Sequence, residues 1–130
     1  MQKWFSLSLA VALLAGCATL GSPGPAPFQP AGTYDFTADV MGDLVTGTIR
    51  IEGTPGDYQA VLTSTMAPGE ARARSVRVED QTITIHLDMD SPMGFVPVQL
   101  EYTVDDDRFT GTWSAMGDWG TFRGQRRQAT

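Results

Sequence analysis

The sequence predicts an all-β domain, an eight-stranded antiparallel up-and-down barrel, with a two-sheet β-sandwich as the alternative. Three observations carry this. From Gly32 onward apolar and polar residues alternate with a period of two, the signature of half-buried strands. Short clusters rich in Gly, Pro and Asp interrupt that alternation at regular intervals, as hairpin turns do. No segment keeps a helical period long enough to form a helix.

The elements follow in order. Tyr34, Phe36, Ala38 and Val40 alternate with Thr33, Asp35, Thr37 and Asp39. Val45, Ile49 and Ile51 share the next face, with Gly47 between them. Tyr58, Ala60 and Leu62 come third, and Val76 and Val78 fourth. The cleanest runs are Ile83, Ile85, Leu87 and Met89, then Val96, Val98, Leu100, Tyr102 and Val104. Phe109, Gly111 and Trp113 form the seventh, and Trp119 or Phe122 belongs to the last. Turns are expected at Met41-Gly42-Asp43, Thr54-Pro55-Gly56-Asp57, Ala67-Pro68-Gly69, Glu79-Asp80, Ser91-Pro92-Met93-Gly94, Asp105-Asp106-Asp107 and Met116-Gly117-Asp118. The result is eight strands of about nine residues with tight connections. Closing them into a barrel removes exposed sheet edges.

Ahead of this domain lies a different kind of chain. Lys3, an apolar run from Trp4 to Leu14, and small residues at its end make the three parts of a secretory signal. The run is too short to span a bilayer comfortably. Leu14-Ala15-Gly16-Cys17 resembles the lipobox of bacterial lipoproteins. The resemblance implies cleavage before Cys17, with acylation of its thiol and of the new amino group. It also implies attachment to the membrane through those acyl chains in a bacterial envelope. Ala18, rather than aspartate, follows the cysteine, which in such lipoproteins implies sorting to the outer membrane with the domain facing the periplasm. Residues 1–16 are therefore read as signal peptide, and 17–31 as lipidated cysteine and Pro/Gly-rich linker. Residues 32–127 make the barrel, and 128–130 a tail. The linker, ATLGSPGPAPFQPA, favours extended chain and could hold a domain up to ~40 Å from the bilayer.

Composition narrows the partners. Lys3 is the only lysine, so the mature part sets eight arginines against fifteen acidic residues, a balance of −7. Such a charge disfavours nucleic acid and anionic surfaces, which reward basic patches. Cys17 is the single cysteine, so the core must hold by packing without disulfides.

Three triplets echo one another: Gly32-Thr33-Tyr34, Gly111-Thr112-Trp113 and Gly120-Thr121-Phe122. With Arg123, Arg126 and Arg127 near the end, this layout resembles the calycin superfamily of lipocalins, fatty-acid-binding proteins and avidins. Those barrels open on Gly-X-Trp, and a late basic residue packs across it. Here Tyr34 replaces the tryptophan. The resemblance implies a lipocalin-like barrel able to hold one small ligand. Aromatic core residues closing a barrel end would need no ligand.

In an up-and-down barrel alternate turns fall at the same end. The odd turns carry Met41, Met66, Met89, Met93 and Met116, with Phe95 and Trp119 nearby. The even turns carry Asp57, Glu79, Asp80, Asp105, Asp106 and Asp107. The chain enters at the acidic end, so the methionine rim is expected to face away from the membrane. Methionine suits surfaces that adapt to varied apolar partners, and equally fills cores. The expected ligand is small and apolar or amphipathic. Tyr34, Phe36, Leu62, Leu87, Leu100, Tyr102 and Trp113 are the expected lining, and Met41, Met66, Met93 and Met116 the mouth. The rival is a protein-binding module, an envelope enzyme inhibitor or assembly accessory, using the Ser91–Phe95 turn as its loop.

Catalytic and cofactor signals are few. His86, Asp88 and Asp90 share a strand face that reads as solvated, and Asp105-Asp106-Asp107 lacks the spacing of a calcium loop. No Gly-X-Ser-X-Gly elbow, phosphate loop or His-Glu-X-X-His occurs. No enzyme activity, cofactor or metal is expected.

Overall fold

The computed structural model describes residues 27–128. The signal segment, Cys17 and the first part of the linker lie outside the described residues. The chain forms β1 (Gly32–Val40), β2 (Asp43–Thr54), β3 (Asp57–Ser64), β4 (Ala67–Glu79), β5 (Thr82–Ser91), β6 (Gly94–Asp105), β7 (Arg108–Ala115) and β8 (Asp118–Arg126). They close in sequence order into one barrel, each strand antiparallel to the next. The β1–β8 seam runs from Tyr34↔Arg126 to Ala38↔Phe122. The barrel is the expected one, the sandwich is not formed, and there is no helix among the described residues.

The turns show why the register holds. Each of the seven connections leaves two residues between paired strand ends, as in Val40↔Asp43 and Ala115↔Asp118. Met41-Gly42 and Met116-Gly117 have positive φ at both positions (53° and 91°, 52° and 84°). That is the type I′ turn, whose twist matches the strands it joins. Asp80 and Asp106 also sit at positive φ, which aspartate tolerates better than most residues. One expectation is corrected. The third turn is Thr65-Met66, and Ala67-Pro68-Gly69 begins β4 instead. Pro68 has no N–H to give a ladder, and it fits there because β4 pairs with β5 only from Ala73 onward.

Inward glycines shape the interior. Phe36 stands opposite Gly47, Tyr102 opposite Gly111, Phe109 opposite Gly124 and Trp113 opposite Gly120. A Cβ at Gly47 would lie 2.8 Å from the Phe36 ring and 2.1 Å from the Thr63 carbonyl; at Gly124, 2.7 Å from Phe109 and 1.8 Å from the Asp35 carbonyl. Each glycine therefore gives a neighbouring aromatic ring its place and lets the curved backbone close in. This accounts for the glycines of the repeated triplets at 111 and 120.

The end nearest the linker is packed solid. Tyr34, Tyr102 and Phe109 contact edge to face or tilted, with ring centroids 4.9–5.6 Å apart. Residues 28–31, read from the sequence as linker, fold over this plug. The Tyr34 hydroxyl donates to the Pro30 carbonyl at 2.5 Å, and Arg126 donates to the carbonyls of Gln29 and Ala31. The Arg126 guanidinium lies 5.4 Å from the Tyr34 ring centroid and 5.8 Å from that of Phe28. Arg126 thus packs across Gly32 and Tyr34. Arg127 instead makes two hydrogen bonds to the Asp35 carboxylate, at 2.8 and 2.9 Å.

Candidate functional site

Inward side chains change size along the barrel. Toward the linker end they are Tyr34, Ile51, Ile83, Tyr102, Val104 and Phe109, all with almost no exposure. Toward the opposite end, where the odd turns lie, they shrink to Ala38, Ser64, Ala67 and Ala115. The missing volume is a cavity of about 290 Å³. Phe36, Phe122 and Trp113 stand among its walls, with aliphatic groups such as Val45, Leu62 and Leu100. Its polar lining is Ser64, Asp90 and Ser91. Trp113 is fixed in place by donating its indole N–H to the Asp39 carbonyl at 3.3 Å, across the space Gly120 leaves open.

The barrel wall is thinnest beside this cavity. Pairing between β4 and β5 stops at Ala73↔Leu87, so residues 67–72 and 88–91 face each other without a ladder. The groove between them shares Leu62, Ser64, Ala67, Met89 and Asp90 with the cavity, and its other charged residues are Glu70, Arg72 and Asp88. Arg74 pairs with Asp88 at 3.2 Å.

The expected lining divides. Phe36, Leu62, Leu100 and Trp113 line the cavity. Tyr34 and Tyr102 do not: both lie in the plug, in the half of the barrel where rings fill the interior. Leu87 is buried in the core but one inward position short of the wall, which Met89 provides. Of the expected mouth, Met66 reaches the cavity. Met41, Met93 and Met116 project from turn tips into solvent, where the backbone carries them past the opening. Leu44, Phe95 and Trp119 are exposed too, so an apolar collar surrounds this end; Met93 is 84% and Phe95 75% exposed. The expected lining leaves out Ala38, Val45, Phe122 and Ala115, although alternation puts Ala38 and Val45 on inward faces; the small inward residues near the odd turns were the available signal for the cavity's level.

Electrostatics separate the two ends. Burial raises the pKa of Tyr34 against the opposing pull of Arg126. Burial raises that of Tyr102 much further, nearby Tyr34 adding and Arg126 subtracting. The Tyr102 hydroxyl is buried with no hydrogen-bond partner among the described residues. Among these residues no group of three or more His, Cys, Asp or Glu is placed to hold a metal ion. His86 lies outside the cavity, in a surface groove with Arg74, Gln99 and Trp119.

Fold and site together define a closed eight-stranded barrel, solid at one end and hollow at the other. The solved structure of fatty-acid-binding protein 1 from Echinococcus granulosus is similar to it, with a TM-score of 0.49 and 12% sequence identity, over 76% of this chain and 98% of that one. No protein-family model matches the chain, and no curated protein matches it.

Proposed function

We propose that this is a lipid-anchored lipoprotein of the bacterial envelope, held at the outer membrane through Cys17 and facing the periplasm, that binds a small apolar or amphipathic ligand in its barrel. The carrying observation is the cavity of about 290 Å³, walled by hydrocarbon and polar only at Ser64, Asp90 and Ser91. Those walls support a binder rather than a catalyst. Burying an apolar ligand there gains about 25 cal/mol for each Å² removed from water.

The test uses residues 18–130, which contain the whole closed barrel and lack the acylation cysteine. Native mass spectrometry of this segment, exported behind a cleavable signal peptide without a lipobox and purified gently from periplasm, should show an extra mass that denaturation removes. The variant Ala38→Leu/Ala115→Leu places six carbons in the cavity, roughly 180 Å³ at ~30 Å³ per water-sized group. It should fold and lose the extra mass. Equal retention by both chains would refute a ligand in this cavity. Anchoring is tested separately: exchanging residues 1–17 for a cleavable signal peptide without a lipobox should release the chain from the membrane fraction, whereas the parent chain stays with it.

The exposed Met93 and Phe95 favour a second reading, a protein-binding module docking through the Ser91–Phe95 hairpin. Met93→Ser/Phe95→Ser should then abolish partner capture without unfolding the domain.

A further inference from the structure

We infer that the ligand is a neutral or cationic amphiphile, not an organic anion, seated tail first with its polar group at Asp90. The inference rests on the cavity reading and adds the class of molecule that fits.

The size of the tail comes from volume. A space of about 290 Å³ holds roughly ten water-sized groups at ~30 Å³ each, about a ten-carbon chain. Its direction comes from the lining. The deep walls include Phe36 and Phe122, which meet edge to face at 6.0 Å, and they offer no hydrogen-bonding side chain. An amphiphile must therefore keep its polar group at the mouth, because burying it unpaired is costly.

The sign of that polar group follows from what waits there. Ser91 both donates and accepts in turn bonds, whereas Ser64 only accepts and keeps one O–H to donate. Ser91 donates to the Gly94 carbonyl at 2.7 Å and accepts from the Met93 N–H at 3.1 Å, while Ser64 accepts from the Met66 N–H at 3.2 Å. Asp88 is held by Arg74. Asp90 is exposed at the rim, on the solvated face of β5; it makes neither an ion pair nor a side-chain hydrogen bond among the described residues, and it borders both cavity and groove. No arginine lines the cavity; Arg126 and Arg127 belong to the solid end. Arg72 is the one cation lining the side groove, where Glu70, Asp88 and Asp90 outnumber it. Asp39, Asp43 and Asp118 add acidity beside the odd turns. A carboxylate or phosphate entering this mouth meets like charge, whereas a hydroxyl or ammonium group finds an acceptor without a partner.

Three probes of one chain length test this on residues 18–130: 1-decanol, decanoate and decyltrimethylammonium. Trp119→Phe leaves Trp113, in the cavity wall, as the sole tryptophan of that segment and hence the reporter. At low ionic strength the ammonium probe should bind about tenfold more tightly than decanoate, with decanol between them. Asp90→Asn should collapse that spread to about threefold or less, chiefly by weakening the ammonium probe. Decanoate binding as tightly as the ammonium probe would overturn the assigned class and leave the cavity reading standing. If Arg72→Gln then abolished decanoate binding, the anion would be held by the side groove. A spread that survives Asp90→Asn would overturn Asp90 as its source. Failure of all three probes to shift Trp113 emission would overturn the cavity reading itself.

Discussion

Met41 and Met116 occupy backbone positions that suit them poorly, and replacing both with asparagine should stabilise the barrel. Each is the first residue of a two-residue type I′ turn, at φ 53° and 52°, followed by a glycine. The left-handed region costs an ordinary L-residue roughly 1–2 kcal/mol, and asparagine less, because its short side chain bonds locally. Little packing is lost in exchange: Met41 is 79% and Met116 69% exposed, and neither belongs to the core cluster. Each substitution should gain about 1 kcal/mol, and the pair about 2 if the sites act independently. For a domain of this size that raises the melting temperature by roughly 8–16 °C. Urea unfolding followed by tryptophan emission, with thermal unfolding by circular dichroism, measures it. Stability equal to or below that of the parent chain would refute the strain argument. Decanol binding gives a second readout. Strain accumulates where a surface is used, so the stabilised chain should bind more weakly if these methionines serve the mouth. Undiminished binding would make them bystanders.

Three further outcomes follow from the closed end and the inward glycines. Tyr102→Phe deletes a buried hydroxyl without a partner, so stability in urea should hold or rise by about 1 kcal/mol; a fall of that size would mean the hydroxyl is bonded. Folding keeps Tyr34 and Tyr102 protonated above pH 10.0, where an unfolded tyrosine ionises. Stability should therefore be fully present below pH 10 and fall above it by up to ~1.4 kcal/mol per pH unit for each tyrosine, and Tyr102→Phe should flatten the fall. A flat profile from pH 9 to 12 would refute it. Gly124→Val should cost about 3 kcal/mol or more, or prevent folding, because its Cβ would lie 1.8 Å from the Asp35 carbonyl; a purified variant as stable as the parent would refute the close approach.

Much of the architecture was legible because it is local. Alternation names the inward residues of each strand, and Met41-Gly42 and Met116-Gly117 name hairpins, since both depend on neighbours in the chain. Local reading failed where local signals compete. Pro68-Gly69 reads as a turn, yet the chain reverses at Thr65-Met66, where Ser64 and Thr65 side chains accept backbone N–H groups. It failed again at Phe28, which lies among linker residues and packs beneath Arg126.

The sequence alone determined the strands, their inward faces and the gathering of the methionines at one end. Which inward residues share a level of the barrel was decided only by the tertiary structure, because register and closure bring together residues from distant strands. Tyr34 thereby joins Tyr102 and Phe109 in a plug, while Ala38, Ser64 and Ala115 leave a cavity. Alternation says that a side chain points inward; whether it meets another side chain or a void depends on its height along the barrel.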